Sequence, residues 1–124
     1  MRYFSIYKPD PKNVAKPPTP EFIAEMGKLI QEYTQSGALL ATEGFHPSAD
    51  DVRVRLSGGE FSVTDGPFTE AKELIGGFAL MQAKSKQEMI QLTKRFLQVA
   101  GGGECEIHEL MESPELPLEK APKR

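Results

Sequence analysis

Two helical stripes, each preceded and followed by strand-like residues, constrain this chain more than any other feature. Phe22, Ile23, Met26, Leu29, Ile30 and Tyr33 recur at i, i+1, i+4, i+7, i+8 and i+11, the spacing of one helical face. Thr19 stands as N-cap and Pro20 at the first helical position, and Gly37 closes the segment. The second stripe is Met89, Ile90, Thr93, Phe96 and Leu97. It follows Ser85-Lys86-Gln87-Glu88, which has the spacing of a capping box, and it ends at Gly101-Gly102-Gly103.

Strand candidates flank both helices. Arg2 to Tyr7 is rich in aromatic and β-branched residues, and five prolines between residues 8 and 20 make the next stretch a surface loop. Ala38 to Phe45 reads as the second strand, and Glu104 to Met111 as the last. Phe78-Ala79-Leu80-Met81 is apolar on both faces, as expected of a central strand covered on two sides. Between these, Val52, Val54 and Leu56 alternate with Arg53, Arg55 and Ser57. Gly58-Gly59 suits a tight turn, and Phe61 and Val63 continue the alternation on the return. Asp65-Gly66-Pro67 breaks that strand, and Thr69 to Ile75 reads as a short helix closed by Gly76-Gly77.

The order is therefore βαβ, a hairpin, a short helix and a second βαβ. This predicts an α+β fold: a ferredoxin-like βαββαβ antiparallel sheet with an inserted hairpin and both long helices on one face. Residues 1–112 form one domain in this reading, and the Pro-rich, charged 113–124 a loose tail. Leu39, Leu40, Phe78, Leu80 and Met81 point apolar side chains to both sides of the sheet. The helices cover one side, so a second copy of the chain is the simplest cover for the other, and a homodimer is expected.

Composition narrows the function classes. The chain has 15 basic and 18 acidic residues, a formal net charge of -3, which argues against nucleic-acid binding through a basic face. Its apolar runs are far shorter than the roughly 20 residues of a membrane span, and no secretory signal is visible. The single cysteine, Cys105, excludes an internal disulfide and fits a cytoplasmic location; it reads as a buried or bystander residue. With two histidines and no metal-ligand spacing, and no nucleotide, flavin or haem motif, neither a metal nor a cofactor is implied.

Candidate chemistry gathers near the hairpin. Asp65, at a strand end before Gly66-Pro67, is placed to act as a general base, or to hydrogen-bond the backbone of its own turn. His46 follows the second strand and is a candidate partner for that carboxylate, or a solvent-exposed loop residue. Lys72 could hold an anionic substrate group or solvate the surface. Glu70 and Glu73 share a face of the short helix, and Phe68 would be an apolar wall. Arg53 shares a strand face with Arg55, either lining a polar cavity or lying on the wet side. His108, in the last strand, reads as structural.

The run Val63-Thr64-Asp65-Gly66-Pro67-Phe68-Thr69-Glu70-Ala71-Lys72-Glu73 resembles the YCII-related family, in particular its DGPF-containing branch. Gly44-Phe45-His46-Pro47-Ser48, Val52-Arg53-Val54-Arg55, Gly76-Gly77-Phe78, Ser85-Lys86 and Glu106-Ile107-His108 extend the likeness over residues 1–112. Similar sequences often carry leucine in place of Phe45 and arginine in place of His108. The resemblance implies a dimeric ferredoxin-like α+β barrel with a cleft lined by polar residues, and a His–Asp pair for acid–base chemistry. Some relatives accompany sigma-factor genes, which implies a regulatory setting. Two functions follow: a small-molecule acid–base enzyme of isomerase or lyase type, with Asp65 or His46 as base; or a non-catalytic dimeric ligand-binding or regulatory accessory module.

Overall fold

The computed structural model of the chain describes residues 1–13, 17–45, 51–66 and 75–112. Strands β1 (Arg2–Lys8), β2 (Leu39–Gly44), β5 (Gly77–Gln82) and β6 (Glu104–Glu109) form one sheet in the order β2-β5-β1-β6, with every pairing antiparallel. Helix α1 (Pro20–Ser36) joins β1 to β2, and α2 (Lys86–Ala100) joins β5 to β6. Strands β3 (Val52–Ser57) and β4 (Glu60–Asp65) pair only with each other, as a separate two-stranded ribbon. This is the ferredoxin-like α+β architecture with an inserted hairpin.

The helices begin where the caps place them. Thr19 accepts the Phe22 N–H at 3.1 Å, and Ser85 accepts the Glu88 N–H at 3.1 Å. The return arm of the second cap falls one residue earlier than a capping box has it: the Glu88 carboxylate takes the Lys84 N–H at 2.9 Å, not that of Ser85. Gly37 and Gly101 end the two helices in left-handed backbone. The Pro-rich connection also contains a short 3-10 turn, Pro11–Asn13, held by the Asp10 carboxylate accepting the Lys12 N–H.

Strand periodicity puts Tyr3, Ser5 and Tyr7 of β1 on the helix side, across from Met81, Ala79 and Gly77. Tyr3, Met81, Leu29, Tyr33, Ala83 and Met89 form the buried core there. Tyr33 donates from its hydroxyl to Leu92 O at 2.9 Å, and Arg95 forks onto Glu32, so α1 and α2 are tied by polar contacts as well as by packing. The opposite side of the sheet carries Phe4, Ile6, Phe78 and Leu80. Phe4 stacks on Phe78 with centroids 5.3 Å apart, and the half-exposed Phe45 adds a third ring at 6.1 Å from Phe78. Within one chain β5 is thus covered by helices on one face only, a difference from the two-sided cover its composition predicts.

The last strand stops at Glu109, short of the expected Met111, and β1 runs one residue further, to Lys8. The expected short helix at Thr69 to Ile75 falls almost wholly outside the described residues, and so does the tail.

Candidate functional site

The hairpin is amphipathic. Val52, Val54 and Leu56 lie directly across from Asp65, Val63 and Phe61, so these side chains share one face. Arg53 and Arg55 lie across from Thr64 and Ser62 on the other. The turn is Gly58-Gly59 with φ of 60° and 80°, the left-handed pair that a two-residue hairpin loop needs. The whole apolar face is open: Val52, Val54, Leu56, Phe61 and Val63 are each more than half exposed, Phe61 at 74%.

Asp65 sits at the exposed end of this face, where the hairpin joins the rest of the chain. Two backbone hydrogen bonds define that neck. The Gly66 N–H donates to Asp51 O at 2.6 Å, closing the base of the hairpin. The Phe45 N–H donates to Gly76 O at 2.9 Å, closing the end of the sheet. Residues 46–50 and 67–75, the two connections between sheet and hairpin, therefore run between the same two anchor pairs. One connection carries His46, the residue after Phe45. The other carries Phe68, Glu70 and Lys72 of the Asp-Gly-Pro-Phe segment. These four residues lie outside the described residues. Of the expected site, Asp65 and Arg53 are described, and the strand alternation sends their side chains to opposite faces of the hairpin.

The sheet end of this neck is also the end of a cavity of about 380 Å³ enclosed by α1, α2 and the helix side of the sheet. Gly44, Gly76 and Gly77 line that end, and Tyr7, Phe22, Phe96, Met26 and Met81 give much of the wall. Its exposed lining residues, Ile30, Thr42, Glu43 and Gly44, put the mouth between α1 and the edge strand β2. Cys105 and Tyr7 face this space. Burial pushes the Cys105 thiol up, against an opposing hydrogen bond from Ser5, and burial likewise raises the Tyr7 phenol.

One polar cluster was not among the sequence candidates. On the open face of the sheet, His108 Nε2 lies 2.8 Å from one oxygen of Glu106, and Lys8 Nζ donates to the other at 3.3 Å. The signal was present in the i, i+2 spacing of Glu106 and His108, which puts both on one strand face. The register of β6 against β1 brings Lys8 beside them. The His108 imidazole and then the Lys8 ammonium hold the Glu106 carboxyl below its ordinary value of 4.5. Glu32 is held below the same value by its Arg95 fork.

A carboxyl lowered on folding stabilises fully above its unfolded value, and that stabilisation is lost as pH falls through the folded value. Thermal stability is therefore expected to fall as pH drops below about 4.5. Glu32→Gln and Glu106→Gln should each flatten that dependence, read by melting curves between pH 6 and 3. Curves that stay parallel to the wild type would remove both pairs from the account.

Among the described residues no group of three or more His, Cys, Asp or Glu side chains is arranged to hold a metal ion. No helix among them is long and apolar enough to cross a membrane.

Comparison with known proteins bears on the fold. Over 70 residues the chain is 30% identical to an uncharacterised protein of Rhizobium meliloti, covering 56% of each, so it spans about half the length of the curated relative it matches. Among solved structures it resembles 5-chloro-2-hydroxyhydroquinone dehydrochlorinase (TftG) from Burkholderia phenoliruptrix, in complex with 2,5-dihydroxybenzoquinone. The TM-score is 0.50 at 14% identity, over 91% of this chain and 96% of that one. That likeness concerns the backbone fold. The YCII-related domain matches residues 1–112, the span over which the motifs run. The chain belongs to the YCII-related family.

Proposed function

We propose that this protein is a small-molecule enzyme working by acid–base chemistry at the neck of the hairpin, in a homodimer. The carrying observation is the pair of backbone ties, Phe45 to Gly76 and Asp51 to Gly66, which bracket both motif-bearing connections. His46 follows Phe45 of one tie in the sequence and Asp65 precedes Gly66 of the other, which supports reading the two as a base and its partner. In an isomerisation the proton taken by Asp65 or His46 is returned to a different atom of the substrate. In an elimination it stays on the base while the leaving group departs with its bonding pair. Lys72 would hold a carboxylate or developing oxyanion, with Glu70 and Phe68 completing the walls, while Arg53, on the hairpin face opposite Asp65, stays on the wet side. That a dehydrochlorinase uses this fold supports a reaction on a small ring without identifying the substrate.

A second copy of the chain would cover the apolar hairpin face and the Phe4–Phe78–Leu80 face of the sheet. The rival reading is a non-catalytic ligand-binding or regulatory module. It is favoured by the cavity, whose described interior offers hydrophobic walls and no charged acid or base.

The two readings separate in the titration of His46, followed by NMR in the native protein and in Asp65→Asn, with a His108 variant to assign the signals. A midpoint above ~6.5 that falls in Asp65→Asn is the expected result, because a neighbouring carboxylate stabilises the imidazolium. A midpoint unmoved by the substitution would leave Asp65 as a turn residue and favour the binding module.

A further inference from the structure

The cavity between the helices and the sheet has a chemistry of its own, fixed by what its lining lacks. Among the described lining residues there is no lysine and no arginine, and the one charged residue, Glu43, lies across from Phe78 and so turns its side chain to the opposite face of the sheet. An anionic ligand would give up its hydration there and meet no cation in return. Cys105 and Tyr7 remain in their neutral forms, held so first by burial.

The hydroxyls are equally specific. Tyr7 donates to Gly102 O at 3.1 Å and Tyr33 to Leu92 O at 2.9 Å. Thr42 donates to Phe78 O and Thr93 to Met89 O, both at 2.8 Å. A carbonyl oxygen only accepts, so each of these hydroxyls has committed its single proton to the main chain. Ser5 is engaged with the Cys105 sulfur. What these four hydroxyls keep for a guest is oxygen lone pairs. A donor on the guest is therefore answered by these oxygens, and an acceptor meets only the weak S–H of Cys105.

Size completes the argument. An apolar cavity of ~150 Å³ takes up benzene. About 380 Å³ is more than twice that, and falls in the lower part of the range of small-ligand sites. Four aromatic side chains on the helix side, Tyr7, Phe22, Tyr33 and Phe96, contribute to the lining. Such a wall favours a flat ring.

We propose that this cavity binds a neutral, ring-sized molecule carrying a hydroxyl donor, a phenol-class ligand, entering between α1 and β2. The proposal rests on the small-molecule reading above and names the ligand class for the cavity that ends at the same neck.

The test uses the full chain with its methionine methyls labelled and read by NMR. Met26 and Met81 line the cavity, whereas Met1 and Met111 do not. Three probes of similar size are titrated at pH 7: phenol, anisole and benzoate. Phenol is expected to move the Met26 and Met81 signals saturably and to leave Met1 and Met111 in place. Anisole, which keeps the ring but lacks the donor, should bind about 2- to 10-fold more weakly. Benzoate should leave both signals unmoved at ten times the phenol concentration. Ala79→Leu, which fills the cavity floor, should abolish the phenol response, and the three-probe comparison on the native chain stands without that variant. Equal binding of benzoate and phenol would overturn the proposal, as would Met26 and Met81 signals that no probe moves. The cavity is read on methionine methyls and the acid–base pair on His46, so either can fail with the other intact.

Discussion

Gly77→Ala is expected to destabilise the domain by about 2–4 kcal/mol, lowering the melting temperature by roughly 10 °C. Gly77 is buried at the start of β5, where β2 passes unusually close. A Cβ at this position would sit 2.5 Å from Glu43 O and 3.2 Å from the Gly44 Cα. Both are main-chain atoms of the edge strand, which cannot rotate away as a side chain tip would. The methyl group would have to push β2 off β5, breaking ladder hydrogen bonds at the mouth of the cavity. Gly27→Ala in α1 is the matched control, since a Cβ there meets nothing within 4 Å. It should stabilise the protein by ~0.5–1 kcal/mol through helix propensity. Urea and thermal unfolding of both variants give the comparison. Two small changes of the same sign would mean that β2 does not need glycine opposite it.

The second large effect concerns assembly. Phe61→Lys is expected to convert a dimer into a monomer at micromolar concentration, with a dissociation constant raised by ~30-fold or more, the scale of a buried aromatic anchor. An isolated two-stranded ribbon is at best marginally stable in water, and this one exposes its entire apolar face. Phe61 is the most exposed of those side chains, so it gains most from a partner. Arg55→Ser lies on the opposite hairpin face and should leave the dissociation constant unchanged. Sedimentation equilibrium decides it. A wild-type chain that stays monomeric at ~100 µM, or a Phe61→Lys protein as dimeric as its parent, would remove the hairpin from the interface.

What the sequence revealed was set by local physics. Thr19, Pro20, Ser85 and Gly58-Gly59 act within a turn of their own positions, so both helices and the hairpin were legible from residue order alone. The inserted hairpin and ferredoxin-like sheet followed from the repeat of βαβ. The cavity did not follow. Tyr7, Phe22, Phe96 and Cys105 meet around it from four separate elements. No periodicity records that the space between them stays open. Nor does composition record that the hydroxyls of Tyr7, Tyr33, Thr42 and Thr93 all turn to main-chain carbonyls. The Glu106–His108 pair was half legible, since alternation alone places both on one face, but Lys8 joins them only through the β1–β6 register. Arg53 and Asp65 are both site candidates from their place near the hairpin. Once the turn at Gly58-Gly59 fixes the register, the same alternation rule separates them to opposite faces.

The neck of the hairpin carries an evolutionary corollary. Phe45 and Gly76 are hydrogen-bonded to each other, so the chain leaves the sheet and re-enters it at adjacent points. Everything between them is a cassette whose ends meet. A segment with coincident ends can be lengthened, shortened or exchanged without disturbing the β2-β5-β1-β6 order, because the sheet experiences only a closed junction. Residues 46–75 can thus vary in length and sequence while the four-stranded frame stays the same, and kinship among such chains would be written in the frame and divergence in the cassette.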